Sequence, residues 1–235
     1  MKASGDKHAA TAFLDALFDY CKERDGFLHL RFLPSKESLF IRFSEIARLS
    51  AILSKRENQN AYFGIGTRTK DDGTKAGVIE VAALWIDMDL EKLSAEERRA
   101  AAERLKALPF EPSFIIATGG GLHVYWRLRE PIGKAEIPRL EGILKRLAAY
   151  LGGDPAATDA SRILRLPGTF NHKREPVAVQ VIEQNGQRYE ASDFEEFLIE
   201  DQPVREEPPP LRLMVTPDRP DNKRPVPVVT RPEIE

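Results

Sequence analysis

Hydrophobic and polar residues alternate along this chain with two periods, one typical of helices and one typical of strands. Apolar positions recur every three to four residues in five segments, as helices with one buried face require. Helices are therefore predicted over residues 9–24, 44–56, 94–108, 136–151 and from Ser192 onward. Short runs rich in β-branched and aromatic residues predict strands over residues 27–32, 61–67, 78–90, 113–118, 122–128 and 177–183.

Local signals define several ends of these elements. Ser94 begins Ser-Ala-Glu-Glu, the sequence of a capping box, and Pro109 closes that helix. Ser192, with Glu195 three residues later, predicts a second capped helix. Three glycines at 119–121 separate two predicted strands, which indicates a hairpin. Because helices alternate with strands and one strand pair forms a hairpin, the pattern predicts a mixed α+β sheet rather than a parallel, doubly wound sheet.

Composition is that of an ordinary globular protein. The 235 residues suffice for one sizeable domain or two small lobes, and 42% of them are hydrophobic. The single cysteine, Cys21, excludes an internal disulfide framework and a cysteine-based zinc cluster. The net charge of -2 means that nucleic-acid contacts require a local basic surface. Without a signal peptide or an apolar run of about 18 residues, we expect a cytoplasmic protein with no membrane partner.

The character of the sequence changes at Asp201. Nine of the 17 prolines fall between Pro203 and Pro232, among charged residues and few large apolar ones. Such a composition cannot bury enough apolar surface to offset the entropy of folding. Residues 201–235 are therefore predicted to form a proline-rich linker or disordered tail after a folded domain over residues 1–200.

Two aspartates at the end of an apolar strand give the first chemical signal. Asp87 and Asp89 are spaced i, i+2, so a strand projects both side chains on the same side, about 6.6 Å apart. At that distance two carboxylates repel by about 2.5 kcal/mol at an effective dielectric constant of roughly 20. A hard divalent cation such as Mg²⁺ or Mn²⁺ offsets this repulsion. The alternative is a strand end whose acids are solvated or paired with arginine.

The glycine hairpin gives a second signal. Consecutive glycines let the backbone of a turn approach a ligand with no Cβ in the way. In the strand that follows, His123, Tyr125 and Arg127 share one face, and the residues between them share the other. An imidazole at this position is placed to donate a hydrogen bond to phosphate. A hairpin with an incidental polar face is the alternative, and the segment is no Walker loop because no Gly-Lys-Ser/Thr follows.

A third segment places acids before cations. It begins with Asp154 and Asp159, and its cations are Arg162, Arg165 and Lys173. Arginine binds phosphate oxygens bidentately, and lysine adds a point charge. A surface loop with structural salt bridges is the alternative. Together the three segments supply carboxylates for metal ions, a hairpin rich in donors and a cluster of cations, the set required to hold a metal-bound nucleoside triphosphate.

In this order the segments resemble the archaeo-eukaryotic primase (AEP) superfamily, whose three motifs read hhhDhD, sxH and hD. The strand ending in Ile-Asp-Met-Asp is similar to the first motif, Thr-Gly-Gly-Gly-Leu-His to the second and Gly-Asp to the third. The resemblance covers about residues 60–185 and is greatest to the PrimPol and RepB-like primase domains of plasmids, phages and other mobile elements. Their hairpin SGGGxHxYW and their run RxLRLPGTxNxK have counterparts here. One departure is Gly121, which stands where a small polar residue often precedes the histidine by two.

The resemblance implies a role for each candidate residue. Asp87, Asp89 and Asp154 correspond to catalytic carboxylates that bind two divalent ions, Mg²⁺ or Mn²⁺, with no zinc. The positions that correspond to nucleotide contacts are Gly120, Gly121, His123, Arg162, Arg165 and Lys173. Asp159 is the alternative third metal ligand, although the spacing between Asp154 and the first arginine is like that in eukaryotic PrimPols.

The implied fold is an RRM-like catalytic sheet over about residues 80–200, joined to an N-terminal αβ lobe over about residues 9–80. The implied function is primer synthesis on a single-stranded DNA template by two-metal transfer from NTPs or dNTPs, in replication of a plasmid, phage or other mobile element. A helicase or other replication protein is a candidate partner for the C-terminal tail. The alternative is a non-catalytic replication-initiation or nucleotide-binding regulatory module on the same scaffold. A rolling-circle initiator of the HUH type is disfavoured because His123 has no second histidine beside it.

Overall fold

A nine-stranded antiparallel sheet forms the centre of the fold in the computed structural model, which describes residues 6–23 and 25–200. Two further strands pair as a small separate sheet. The strands are β1 (Phe27–Leu33), β2 (Glu37–Arg42), β3 (Asn60–Gly64), β4 (Gly66–Arg68), β5 (Val78–Met88), β6 (Phe114–Ala117), β7 (Leu122–Gly133), β8 (Ile163–Arg165), β9 (Phe170–Asn171), β10 (Val177–Ala178) and β11 (Gln180–Gln184). The helices are α1 (Lys7–Leu17), α2 (Leu49–Ser54), α3 (Ala95–Ala107), α4 (Ile137–Leu151) and α5 (Ala191–Glu200).

The large sheet divides at one point. β1 pairs with β2 on one side and with β3 and β4 on the other, and Ile65 separates β3 from β4. β3 then pairs with β8, whereas β4 pairs with β5. From β5 the sheet continues through β7 and β6 to β11. The division brings the end of β5 and the start of β8 to the same part of the molecule, and Ile65 N donates to Arg162 O at 3.1 Å there.

Helices cover both faces of the central strand β7. The Tyr125 ring meets the Phe13 ring of α1 edge to face at a centroid distance of 5.7 Å. Trp126, which points to the opposite face because strand side chains alternate, contacts Phe194 of α5 at 5.7 Å. His123, Tyr125 and Arg127 are consequently all buried, although two of them are polar or charged. Burial on both faces makes β7 a rigid support for the residues at its start.

Most predicted elements are present, with altered ends. The helix predicted over residues 9–24 is α1 followed by a 3₁₀ turn at Asp19–Glu23. The helix predicted over residues 44–56 is a 3₁₀ turn at Phe43–Arg48 followed by α2. The strands predicted over residues 61–67 and 177–183 are each divided into two, β3 with β4 and β10 with β11. β2 and β8 were not predicted, because β2 lacks a clean alternation of buried and exposed residues and β8 has three residues.

One predicted helix cap is confirmed and one is wrong. Ser94 Oγ accepts from Glu97 N at 3.2 Å, and the Glu97 carboxylate accepts from Ser94 N at 2.7 Å, which completes the capping box of α3. Ser192 caps no helix, because α5 already begins at Ala191. The carboxylate of Asp193, one position later, instead accepts a hydrogen bond from the backbone N–H of Glu190, the residue before the helix, at 3.1 Å.

The division into lobes over about residues 9–80 and 80–200 stays a prediction, and the β4–β5 pairing joins the strands of the two ranges into one sheet. The predicted tail, residues 201–235, lies outside the described residues. In the part of the chain that the structure describes, no helix is long and apolar enough to cross a membrane.

Candidate active site

A cleft of about 550 Å³ lies where the sheet divides, between the ends of β5 and β8 and the glycine hairpin. Its floor and walls include every candidate residue named from the sequence except Asp159, the alternative third metal ligand. These lining residues are Asp87, Asp89, Gly120, Gly121, His123, Asp154, Arg162, Arg165 and Lys173. The fold therefore gathers three segments that are distant in sequence into one concave surface.

The register of β5 and β7 brings the first two motifs together. Asp87 and His123 are direct partners in this antiparallel pair, and His123 Nε2 lies 3.6 Å from Asp87 Oδ1. The imidazole is only 4% exposed. Burial lowers the pKa of His123 to about 4, the Asp87 carboxylate opposes that shift, and Arg165 and Arg162 reinforce it. His123 is therefore a neutral imidazole at physiological pH.

A backbone hydrogen bond places Asp154 beside Asp87. Asp154 N donates to Asp87 O at 2.8 Å, and the Asp154 carboxylate accepts from Ala156 N at 2.9 Å, which caps a 3₁₀ turn at Pro155–Ala157. Arg162 Nη2 then lies 3.2 Å from Asp87 Oδ2 and 3.7 Å from Asp154 Oδ2. One guanidinium thus forms an ion pair with both carboxylates.

Asp159, the alternative third ligand, lies elsewhere. Its carboxylate accepts hydrogen bonds from the backbone N–H and the hydroxyl of Ser161, and it lies 3.6 Å from Lys75 Nζ. It is not among the residues that line the cleft. The geometry therefore groups Asp154, and not Asp159, with Asp87.

Asp89 follows the last residue of β5 and pairs with a cation that the sequence reasoning missed. Lys92 Nζ lies 2.9 Å from Asp89 Oδ2, and this hydrogen bond lowers the pKa of Asp89. Lys92 also lines the cleft. The sequence signal that could have indicated this ion pair is the i, i+3 spacing of Asp89 and Lys92.

The glycine hairpin lies against the end of β5. Glu91 N donates to Gly120 O at 3.2 Å, and Thr118 N donates to Gly121 O at 3.0 Å across the turn. A Cβ on Gly121 would overlap the carbonyl oxygen of Met88, so this position admits no larger residue without movement of the backbone. The turn is thereby held close to the two aspartates of β5.

Two asparagines, to which the sequence analysis gave no role, hold the segments of the candidate cations in place; Asn171 belongs to the run that resembles RxLRLPGTxNxK, and Asn60 lies outside it. Asn60 Oδ1 accepts from Arg165 Nη1 at 2.7 Å, and the Arg165 guanidinium lies 5.0 Å from the centroid of the Tyr62 ring. Asn171 donates to Thr118 O at 2.8 Å and accepts from Lys173 N at 3.0 Å, which connects the hairpin with the loop of the third motif. The contact of Asn171 with Thr118 and that of Asn60 with Arg165 join residues 53 and 105 positions apart, so no local pattern reveals them.

The donor chemistry of the cleft fits a hard divalent ion. Five carboxylate residues line the cleft, the three candidate ligands among them, and oxygen donors are those that Mg²⁺ and Mn²⁺ prefer. Within residues 6–23 and 25–200, no group of three or more His, Cys, Asp and Glu side chains is arranged to hold a metal ion. Arg162 forms ion pairs with Asp87 and Asp154 instead, and Lys92 forms one with Asp89. The assignment of Asp87, Asp89 and Asp154 as metal ligands is therefore a proposal.

A mixed antiparallel fold with these three motifs around one cleft is that of an archaeo-eukaryotic primase. The family model of the RepB DNA-primase N-terminal domain matches residues 67–197, more than half of the chain. The chain belongs to this family, and the resemblance stated from its sequence is confirmed.

The chain is also similar to a replication protein and to solved primase structures. A replication protein of Clostridium perfringens is 28% identical over 128 residues, which cover 51% of this chain and 31% of that protein. The AEP domain of the cyanophage S-2L primase-polymerase aligns with a TM-score of 0.64 at 22% identity, over 83% of this chain and all of that chain. The catalytic domain of primase RepB′, solved in complex with initiator DNA, aligns with a TM-score of 0.58 at 17% identity, over 84% and 95% of the two chains. The present chain spans about a third of the length of the C. perfringens relative.

Proposed function

We propose that this protein synthesises primers on single-stranded DNA from NTPs or dNTPs, in the replication of a plasmid, phage or other mobile element. The observation that carries the proposal is the meeting of Asp87, His123, Asp154 and Arg162 in one cleft, through a strand register and a backbone hydrogen bond. Membership in the RepB primase family supports the same conclusion. The complex of the structurally similar RepB′ domain with initiator DNA supports a DNA template as partner.

The candidate residues of the cleft have distinct roles in this reaction. Asp87, Asp89 and Asp154 would hold Mg²⁺ or Mn²⁺, which when bound lowers the pKa of the attacking 3′-hydroxyl and neutralises the triphosphate. Arg162, Arg165 and Lys173 bind the phosphate oxygens, because their guanidinium and ammonium groups line the same cleft as the carboxylates. The backbone of Gly120 and Gly121 allows the phosphates to approach the turn, and His123 donates a hydrogen bond to them.

The residues act mainly by position and charge. The 3′-hydroxyl oxygen attacks the α-phosphorus, the bond from that phosphorus to the β-phosphate oxygen breaks, and pyrophosphate leaves. The arginine held by Asn60 orients the triphosphate for this in-line displacement. The neutral imidazole of His123 adds a donor without adding charge beside Asp87.

The test is primer synthesis on an unprimed single-stranded DNA template, with labelled nucleotides and either Mg²⁺ or Mn²⁺. Products from the unprimed template are the expected result. Products only after a primer is supplied would restrict the activity to extension. Binding of nucleotide without any product, primed or unprimed, would identify the non-catalytic regulatory alternative.

Arg162→Gln is expected to raise the KM for nucleotide by roughly ten- to a hundredfold. A charge-assisted hydrogen bond to phosphate contributes about 1.5–3 kcal/mol, and each 1.4 kcal/mol corresponds to about a tenfold change. The same variant removes the cation that Asp87 and Asp154 share, so Mn²⁺ is expected to bind more tightly in the absence of nucleotide. Initial rates against nucleotide concentration and electron paramagnetic resonance of free Mn²⁺ measure the two effects.

The control for this variant is Arg99→Gln, because Arg99 is exposed on α3 and its side chain, among the described residues, bonds only the carbonyl of Ala95 in its own helix. An unchanged KM for nucleotide in Arg162→Gln would show that Arg162 does not bind the nucleotide. Unchanged or weaker Mn²⁺ binding would show that Arg162 does not compete for the carboxylates.

A further inference from the structure

We infer that Tyr125 is a positioning residue that sets which nitrogen of His123 carries the ring hydrogen. Its buried hydroxyl lies 3.4 Å from His123 Nδ1. As a donor to that nitrogen, the hydroxyl places the ring hydrogen on Nε2, which lies 3.6 Å from Asp87 Oδ1 and faces the cleft. His123 is then held as a hydrogen-bond donor toward the cleft. In the proposed function, on which this last role rests, the acceptor is a phosphate oxygen of the incoming nucleotide.

The position of the Tyr125 hydroxyl is fixed by its surroundings. Tyr125 is fully buried, and its ring packs against Phe13 at 5.7 Å and Phe63 at 6.4 Å between centroids. The hydroxyl oxygen lies 3.4 Å from His123 Nδ1. Among the described residues this nitrogen is the one hydrogen-bond partner found for the hydroxyl. Burial raises the pKa of Tyr125, so the hydroxyl keeps its hydrogen and is a donor.

Two independent contacts favour the same tautomer of the neutral imidazole, in which one ring nitrogen is a donor and the other an acceptor. With the hydrogen on Nδ1, the Tyr125 hydrogen would face no acceptor, and a buried donor without a partner carries its full desolvation cost. In that tautomer the lone pair of Nε2 would also face the Asp87 carboxylate oxygen at 3.6 Å, which is a repulsive arrangement. With the hydrogen on Nε2, both contacts become attractive.

This tautomer decides what His123 can do. An Nε2–H group donates to an anionic oxygen and cannot accept a proton from a hydroxyl group in the cleft. His123 is therefore assigned to binding and orientation of an anion, and not to general-base catalysis. The strand itself brings the two side chains together, because residues i and i+2 project to the same face, and this spacing places the Tyr125 hydroxyl next to the His123 ring.

The experiment is nitrogen-15 NMR of the full chain with labelled histidine at pH 8, where an imidazole of ordinary pKa near 6.5 is also neutral. Tyr125→Phe removes one oxygen and keeps the aromatic packing, so the variant is expected to fold. Tyr189→Phe is the matched control, because the Tyr189 hydroxyl donates to Glu111 O at 2.7 Å and lies outside the cleft. The His123 signals are assigned by their loss in His123→Gln.

The wild type and Tyr189→Phe are expected to show His123 protonated at Nε2. Tyr125→Phe is expected to show a mixture of tautomers, because the remaining contact with Asp87, at 3.6 Å, is longer than a hydrogen bond and favours Nε2–H only weakly. A spectrum of Tyr125→Phe with the wild-type tautomer would overturn the proposal. So would a wild-type spectrum with the hydrogen on Nδ1. Neither result depends on enzymatic activity.

Binding of a non-hydrolysable dNTP analogue separates this inference from the proposed function. We expect Tyr125→Phe to weaken binding about three- to tenfold, the effect of one lost hydrogen bond, and Tyr189→Phe to leave it unchanged. A tautomer change without a change in affinity would support the role of Tyr125 and overturn the phosphate contact of His123. Failure of the wild type to bind either a dNTP or an NTP analogue would overturn the proposed function, while the NMR spectrum would still decide the role of Tyr125.

Discussion

Asp87→Asn is expected to abolish primer synthesis, with a loss of at least about 10³-fold in rate, while the protein stays folded. Asn keeps the size of Asp87 and a hydrogen-bond acceptor for Arg162, but it removes the negative charge at the point where β5, β7 and the Asp154 loop meet. Loss of one group that stabilises charge in a transition state costs about 10²–10³-fold, and loss of a proposed metal ligand adds to that effect. The measurement is product yield from an unprimed template, together with a thermal melt.

Two further Asp-to-Asn variants make this prediction specific. Asp154→Asn is expected to lose activity to a similar degree, because its backbone and carboxylate lie beside Asp87 and Arg162. Asp159→Asn is expected to keep most of the activity, because its carboxylate contacts Ser161 and Lys75 outside the cleft. Primer yield at the wild-type level in Asp87→Asn would refute the assignment of the site. If Asp159→Asn lost primer synthesis and Asp154→Asn retained it, Asp159 and not Asp154 would be the third acid of the site.

Gly121→Ala is expected to destabilise the protein and to reduce primer synthesis strongly. The new Cβ would overlap the Met88 carbonyl oxygen, so the hairpin must move away from the end of β5. Such overpacking against backbone typically costs about 1–3 kcal/mol and occasionally more. For a domain of this size, each 1 kcal/mol lowers the melting temperature by roughly 2–4 °C. Movement of the hairpin would also displace His123, which follows Gly121 by two residues.

Gly133→Ala is the matched control for this substitution. A Cβ on Gly133, at the other end of β7, meets no atom within 4 Å. Its melting temperature is expected to stay close to that of the wild type, since substitutions without a contact usually change stability by less than about 0.5 kcal/mol. Equal melting temperatures in Gly121→Ala and Gly133→Ala would mean that the turn shifts freely and is not held by β5.

The internal pairing of acids and cations explains how Asp87, Asp89 and Asp154 can lie in one cleft. Carboxylates that face one another repel, and this repulsion is relieved by Arg162 between Asp87 and Asp154 and by Lys92 at Asp89. Arg162 therefore has two interactions that exclude each other in the proposed reaction, one with the carboxylates and one with phosphate. The opposite effects expected in Arg162→Gln, on nucleotide and on Mn²⁺, follow from this competition.

The sequence by itself determined the elements and the chemistry of each motif. Hydrophobic periodicity located the main helices and strands because it depends on neighbours within one or two turns or a few strand positions, and Ser94 with Glu97 set the start of α3 for the same local reason. The alternation along β7 placed His123 and Tyr125 on one face. The Asp-Met-Asp and Gly-Gly-Gly-Leu-His segments, in order, were sufficient to predict the fold class and the family.

Only the tertiary structure decided how those pieces meet. The alternation of β7 could not show that Phe13 of α1 packs against Tyr125, or that His123 on the same face is buried, which lowers the pKa of its imidazole. Spacing alone did not decide between Asp154 and Asp159, whereas a backbone hydrogen bond to Asp87 groups Asp154 with the cleft. Asn60 reaches Arg165 through the pairing of β3 with β8. Each of these contacts joins residues far apart in the chain, and their geometry depends on strand register and packing, which no local pattern of residues contains.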